Sequence, residues 1–212
     1  MIKNKSHWNN FYKKFKLKKS SNFAKFVFRS GFINKKSKII EVGCGNGRDT
    51  FFFMKRRIKI ISLDISNQAI KVNKANFKNV FLKADVCNFT NQKLKYFKAK
   101  YEFDVIYARF FLHTLNYEDE KKFFFFCNKI INEKGLLLLE FRTIKDPLMK
   151  KGRKISKTER VTDHYRRFIE SKQVINSLKN NFKLIYKAES FGLARFKDEN
   201  PHICRLIFKK IK

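Results

Sequence analysis

Glycines alternate at Gly43, Gly45 and Gly47, directly after the run Ile39-Ile40-Glu41-Val42. A β-branched run ending in glycines reads as a buried strand that delivers a tight turn, and a turn without Cβ atoms lets a ligand lie against its backbone. Arg48 to Lys55 follow as the first turns of a helix, whose free N–H groups point back at the same spot. The spacing differs from Gly-x-Gly-x-x-Gly, the pyrophosphate cradle of dinucleotide sites, so a nicotinamide-dinucleotide enzyme is disfavoured. Acids then stand at the ends of later apolar runs. Ile58–Asp64 reads as a second strand, with a terminal carboxylate that can accept both vicinal hydroxyls of a ribose. Val80–Val86 reads as a third, carrying Asp85.

These groups need a sheet edge to converge on. Phe103–Ala108 and Gly135–Phe141 read as fourth and fifth strands. Ser66 can cap a helix running to about Asn76, and a helix between Tyr117 and Ile131 starts with Glu118, Asp119 and Glu120, as the helix dipole prefers. Strands and helices alternate to about residue 145, which predicts an α/β chain with a parallel sheet and crossover helices. Ahead of the first strand, Trp8, Phe11, Tyr12 and Phe15, then Phe23, Phe26, Val27 and Phe28, have the spacing of two amphipathic helices. They read either as packing against the sheet or as a lid, with Tyr12 or Ser21 reaching a ligand.

This order of motifs resembles the class I S-adenosylmethionine (SAM)-dependent methyltransferases. The resemblance spans nearly the whole chain and is strongest over residues 39–142. It implies a doubly wound Rossmann-like sheet, mostly parallel with an antiparallel closing strand, and helices on both faces. In that family the glycine loop wraps the amino-acid end of SAM, the acid ending strand three faces the adenine amine, and its neighbour packs on the ring. Carried over, this implies a cofactor site of Glu41, Gly43, Cys44, Gly45, Asp64, Ile65, Asp85, Val86 and Arg109. The expected layout is one domain over 1–212: a helical cap at 1–36, a SAM-binding core at 37–145, a substrate-side insertion at 146–170, and a closing helix and strand pair at 171–212. Within the last part, 171–180 reads as the helix, and Phe182–Glu189 and His202–Phe208 as the strands.

Methyl transfer from a sulfonium asks the protein mainly for alignment and exclusion of water; a hydroxyl acceptor also needs a base. Ala108-Arg109-Phe110-Phe111-Leu112-His113-Thr114 leaves strand four, where this family borders the methyl group. His113 is the candidate base, or else a packed histidine at a helix start. Arg109 reads as an ion-pair partner of Glu140 or as an anion ligand. The family's base-methylating tetrapeptide, Asp/Asn-Pro-Pro-aromatic, has no counterpart in Ala108-Arg109-Phe110-Phe111, and neither proline precedes a cysteine. Both routes to base methylation are therefore disfavoured. The insertion carries Arg160, His164, Tyr165, Arg166 and Arg167, with Arg142 just before it. Guanidinium groups pair bidentately with carboxylate or phosphate. Tyr12, Arg142, Arg160, His164, Tyr165 and Arg166 are thus the expected acceptor-binding set, for a small anionic molecule such as a sugar or glycan precursor. The competing reading is a solvated basic loop paired to Asp163 and Glu159. A narrower resemblance, carried by Glu140, Arg142 and the string Thr162 to Phe168, is to bacterial methyltransferases of cell-surface carbohydrate clusters.

Composition bounds the rest. The 212 residues suit one domain, and no apolar run is long enough to span a membrane. Met1–Asn10 is basic and polar, so no secretory signal is expected. Cys44, Cys87, Cys127 and Cys204 lie far apart, so neither a disulfide framework nor a metal site is expected, and a cytoplasmic location is. The net charge of +32, from 50 Lys+Arg against 18 Asp+Glu, suits a nucleic-acid partner. Yet the lysines are spread along the chain, and 26 Phe with 2 Pro suggest A/T-rich coding. An RNA methyltransferase and a non-catalytic basic binding module are accordingly the rivals.

Overall fold

A computed structural model describes residues 2–14, 19–196 and 198–211; Phe15 lies outside them. The chain enters through helices α1 (Ile2–Lys14) and α2 (Asn22–Arg29), then alternates: β1 (Lys38–Val42), α3 (Arg48–Met54), β2 (Lys59–Asp64), α4 (Asn67–Asn76), β3 (Val80–Lys83), α5 (Asn91–Lys100), β4 (Phe103–Arg109), α6 (Tyr117–Ile130) and β5 (Ile131–Arg142). Short strands β6 (Arg153–Lys154), β7 (Glu159–Val161) and β8 (Tyr165–Arg167) follow, then α7 (Ser171–Leu178), β9 (Phe182–Ser190) and β10 (Ile203–Lys210).

The main sheet has seven strands in the order β3-β2-β1-β4-β5-β10-β9. β1 to β5 run parallel, and β10 is antiparallel to both of its neighbours. This is the doubly wound, mostly parallel sheet with an antiparallel closing strand that the sequence predicts. Successive strand residues point to opposite faces, so each strand feeds two cores. Ile40, Leu63, Ile106 and Leu139 pack with Phe97 of α5, Phe123 and Ile130 of α6 and Val174 of α7. Their chain neighbours Ile39, Val105 and Leu138, with Ile60, pack on the other face against Phe23 and Val27 of α2 and Phe52 and Phe53 of α3. Each such side chain contributes about 1.5–3 kcal/mol by leaving water.

Three elements differ from the sequence reading. β3 ends at Lys83, because Asp85 accepts from the Cys87 N–H (3.2 Å) and caps a 3-10 turn at Val86–Asn88. β5 starts at Ile131, directly off α6, and reaches its register with β4 through an irregularity between Phe103 and Val105. The insertion is not a plain turn. After a 3-10 turn at Pro147–Lys150 capped by Asp146, it forms the antiparallel sheet β6-β7-β8. Strands of two or three residues are too short for alternation to register as a pattern. Among the described residues no helix is long and apolar enough to cross a membrane, and all four cysteines are free and buried.

The cap helices are tied to the core by polar groups. Asn9 of α1 accepts from the Ser66 hydroxyl at 2.7 Å. Ser21 caps α2 by accepting from the Ala24 N–H, while its own N–H and hydroxyl both donate to buried Asp49 of α3 at 2.7 Å. The Tyr107 hydroxyl of β4 donates to the same carboxylate at 2.8 Å. Ser21→Ala removes the cap and one of three donors to a buried charge. It is expected to lower stability by about 2–3 kcal/mol, read as a shifted urea midpoint at unchanged m. A change below about 0.5 kcal/mol would mean that this network does not hold α2.

Candidate functional site

A cavity of about 260 Å³ opens at the carboxyl ends of β1, β2, β3 and β4. Its floor is the glycine turn. Gly43 and Gly45 have φ of +74° and +55°, which L side chains rarely adopt. A Cβ would stand 2.9 Å from the Phe111 ring at Gly43 and 2.5 Å from the Tyr12 hydroxyl at Gly45, so the backbone angles and the packed rings together favour glycine at both. The turn is fixed from β2. The N–H groups of Gly43 and Cys44 donate to the Leu63 carbonyl (2.9 and 3.0 Å), and the Gly45 N–H donates to Asp64 Oδ2 at 2.9 Å. Asp64 Oδ1 accepts from the Ser66 N–H at 2.8 Å. Asn73 of α4 donates to the Gly45 carbonyl at 2.7 Å.

Four acids line the cavity: Glu41, Asp49, Asp64 and Asp85. Glu41 is buried and accepts from the Thr50 hydroxyl and from the Ser62 hydroxyl (3.2 Å). Burial, with Asp49 nearby, pushes its carboxyl up to about 8. Burial also raises Asp64, against the pull of the Ser66 and Gly45 N–H groups. Two guanidinium groups share the wall. Arg109 donates to Glu140 Oε1 at 2.9 Å, while Glu140 Oε2 accepts from Arg205 at 2.8 Å. Burial, then Arg109, pushes the Arg48 guanidinium below its ordinary value. Arg48 Nε is buried without a hydrogen-bond partner, 3.7 Å from Asp49 Oδ1, and Asn46 Nδ2 is likewise unpartnered. Buried donors without acceptors on a cavity wall are groups that a bound ligand can satisfy. Trp8, Phe11 and Tyr12 of α1 and Phe110 and Phe111 after β4 supply apolar walls.

All nine residues of the expected cofactor set, Glu41, Gly43, Cys44, Gly45, Asp64, Ile65, Asp85, Val86 and Arg109, line this one cavity, and Tyr12 joins them. The expected base does not. His113 is 4% exposed, sits behind Phe110 and Phe111, and accepts from the Arg142 N–H at 3.4 Å. Burial and then Arg142 push its imidazole well below the ordinary histidine value. Of the expected acceptor set, Arg142, Arg160, His164, Tyr165 and Arg166 also stand off the lining. Arg142 pairs with Asp146 (3.0 Å) and Glu199 (2.8 Å). Arg160 donates to the carbonyls of Met149, Ser156 and Glu159. Arg166 binds Asp163 at 2.6 Å, and the Tyr165 hydroxyl donates to Glu159. His164 Nδ1 lies 3.0 Å from Asp163 Oδ2, and burial, then Arg166, pushes its imidazole down to about 4. Arg160 and Arg166 are held by local acceptors within the insertion, which folds as its own sheet. Ser21, the other lid candidate, is buried on Asp49 and off the lining. The sequence reading missed Asn46 and Arg48, although both flank the third glycine and line the cavity.

A sequence model of the methyltransferase-domain family matches residues 33–200, about four fifths of the chain. No curated protein matches. Solved structures do. A SAM-dependent methyltransferase from Anabaena variabilis superposes with a TM-score of 0.74 at 14% identity, covering 99% of this chain and 94% of that one. The glycopeptide N-methyltransferase MtfA, complexed with S-adenosylhomocysteine, gives 0.67 at 13%, with 91% and 90% covered. The N-methyltransferase NodS of Bradyrhizobium japonicum, also in complex with S-adenosylhomocysteine, gives 0.60 at 15%, with 83% and 79% covered. At such identities the likeness is one of fold.

The Glu41 carboxyl sets a pH dependence. In the folded protein burial pushes its carboxyl up to about 8, whereas the unfolded chain releases the proton near the ordinary glutamate value. The folded state therefore binds more protons in between, and stability falls as pH rises, by up to about 1.4 kcal/mol per unit. Glu41→Gln is expected to flatten that slope between pH 5 and 8, with its gain over the parent largest at pH 8. Urea unfolding at stepped pH measures it; parallel slopes would mean that Glu41 is ionised throughout.

Proposed function

The chain belongs to the methyltransferase-domain family, and from this we propose that it transfers a methyl group from SAM to an oxygen or nitrogen of a small molecule. The observation that carries the reading is the convergence of the glycine turn, Glu41, Asp64 and Asp85 on one cavity with unpartnered donors in its wall. Those residues fit SAM: a backbone bare of Cβ atoms, carboxylates for hydroxyl and amine groups, and Arg48 and Asn46 as donors for a carboxylate. When bound, SAM supplies a methyl group already activated on sulfonium. The protein's part is then to hold, align and keep water out. Glu41, Gly43, Cys44, Gly45, Asp64, Ile65, Asp85, Val86 and Arg109 hold the cofactor, and Trp8, Phe11 and Tyr12 cover it.

For the acceptor, a small anionic sugar or glycan precursor remains the first candidate, with Tyr12 the member of the expected set that faces the cavity. The NodS and MtfA names describe N-methylation by those proteins, and an amine that enters neutral needs no base. An amino sugar offers such a nitrogen once its ammonium has lost a proton. RNA is the runner-up, on the net charge of +32.

Calorimetric titration with SAM and S-adenosylhomocysteine, with NADH as control, tests the cofactor. Both sulfur ligands are expected to bind and NADH not to. Asp64→Asn is expected to weaken both by about 10–100-fold, the worth of a charged hydrogen bond, and to lower the melting temperature, because an amide can accept from only one of the two N–H groups that Asp64 holds. Unchanged affinity would remove Asp64 from the site. Methyl acceptance by amino sugars supports the small-molecule reading; RNA affinity that falls steeply with salt would move RNA to first place.

A further inference from the structure

Off the cavity lining, three side chains from two distant parts of the sequence meet. His7 lies on α1, and Asp163 and His164 form the turn between β7 and β8. One donor atom from each can be chosen so that all three lie within 4.8 Å of one another. The His7 and His164 rings have centroids 4.4 Å apart at 36°, and Trp8 stands 4.7 Å from His164. Ring packing explains why the two imidazoles approach. It does not explain His7 Nε2, which is buried without a hydrogen-bond partner. A buried imidazole nitrogen left unpaired loses its water and gains nothing in return.

The donor set has a chemical identity. Two imidazoles and one carboxylate suit a borderline transition-metal dication, whereas magnesium and calcium take oxygen ligands. The present geometry is part of the way there. Bonds of about 2.0–2.2 Å to zinc put tetrahedral ligands roughly 3.4 Å apart. His164 Nδ1 and Asp163 Oδ2 are already 3.0 Å apart. Asp163 is also pre-oriented, because its other oxygen accepts from Arg166 (2.6 Å) and from the Thr162 hydroxyl (2.7 Å). Such partners fix a ligating carboxylate in place. The three donor atoms lie within 4.8 Å of one another, so an adjustment of the His7 side chain closes the set.

We propose that His7, Asp163 and His164 form a binding site for a divalent transition metal, zinc first among them, which clamps α1 to the β7–β8 turn. The site leaves a position open to water. His7 directly precedes Trp8 and stands one helical turn before Phe11 and Tyr12, all three of which line the cavity. A metal held here therefore fixes the helix that covers the proposed cofactor, without touching the cofactor itself. The proposal concerns α1 and the insertion alone, and it stands whether or not SAM is the ligand beneath.

Zinc titrated calorimetrically into tag-free, chelator-stripped full-length protein tests it. One zinc per chain is expected, with no heat from magnesium. Cobalt(II) is expected to give visible absorption of a site with nitrogen and oxygen ligands. His7→Ala and Asp163→Asn are each expected to weaken zinc by about tenfold or more, at least the loss that follows removal of an outer-shell partner. Asp163 lies on an exposed turn, so the second variant keeps the test valid if the first disturbs α1. Hydrogen exchange supplies a separate readout: zinc is expected to slow the α1 amides in the parent and not in His7→Ala. Failure of the stripped parent to bind zinc would overturn the proposal. So would parental zinc affinity in both variants, which would send the metal elsewhere.

Discussion

A carboxylate on β2 holds the turn that follows β1, and the cavity is built around that contact. Asp64 takes the Gly45 N–H on one oxygen and the Ser66 N–H on the other. It thereby joins the glycine turn to the start of α4, and Asn73 of α4 reaches back to the Gly45 carbonyl. The result is a closed ring of hydrogen bonds around a left-handed backbone that favours glycine. A carboxylate accepts about four hydrogen bonds, so Asp64 keeps lone pairs for a ligand while doing structural work. Its position at the end of β2 follows from parallel pairing with β1, which sets Val42 beside Leu63. Strand register, turn shape and ligand chemistry are one constraint here.

The same economy governs the buried cations. Glu140 of β5 lies opposite Arg109 of β4 and Arg205 of β10, and its two oxygens bind one guanidinium each. Arg167 donates to Glu120 and to the Leu115 carbonyl. Arg142 takes Asp146 and Glu199. Removing one partner from such a pair leaves an uncompensated charge in low dielectric. The lysines behave differently. Among the described side chains Lys210 is the one buried lysine, donating to the carbonyls of Asn128 and Ile131. The large positive charge is thus a property of the solvated surface, apart from the chemistry of the cavity.

What could be read from the sequence is what local chemistry determines. Alternating glycines after β-branched residues, and acids at the ends of apolar runs, need only the strand and the turn to be in place. Hence Glu41, Gly45, Asp64 and Asp85 were legible. Ser66 and the acidic start of α6 were legible for the same reason, as caps that act on their own helices. Contacts that the fold makes at long range were not. Ser21 and Asp49 are 28 positions apart, and Tyr107 is 58 from Asp49. The sheet β6-β7-β8 is built from strands too short to show a period. Its folding ties Arg160 and Arg166 to local acceptors, which the count of arginines could not convey. A scan for cysteine pairs likewise cannot see two histidines that meet only when α1 lies down beside the β7–β8 turn.

The chain beyond β4 shows how one strained residue divides the site. Phe110 has φ of +53°, a conformation that a bulky side chain keeps only where its surroundings over-determine it. Its N–H donates to the Glu140 carbonyl at 2.8 Å. Its ring carries the Arg109 guanidinium at 4.2 Å and that of Arg142 at 5.5 Å. The sharp turn throws Phe111 onto Gly43 and starts the 3-10 turn Leu112–Thr114 behind it. Phe110 and Phe111 therefore face the cavity, while His113 falls on the far side, edge-on to Phe110 at 5.3 Å. There a neutral imidazole suits its surroundings, because Nδ1 accepts from a backbone N–H and three arginines lower its proton affinity. A proton leaving an acceptor in the cavity would meet aromatic rings before it met that nitrogen. Under the proposed methyl transfer, the turn at Phe110 thus takes His113 out of reach of an acceptor in the cavity.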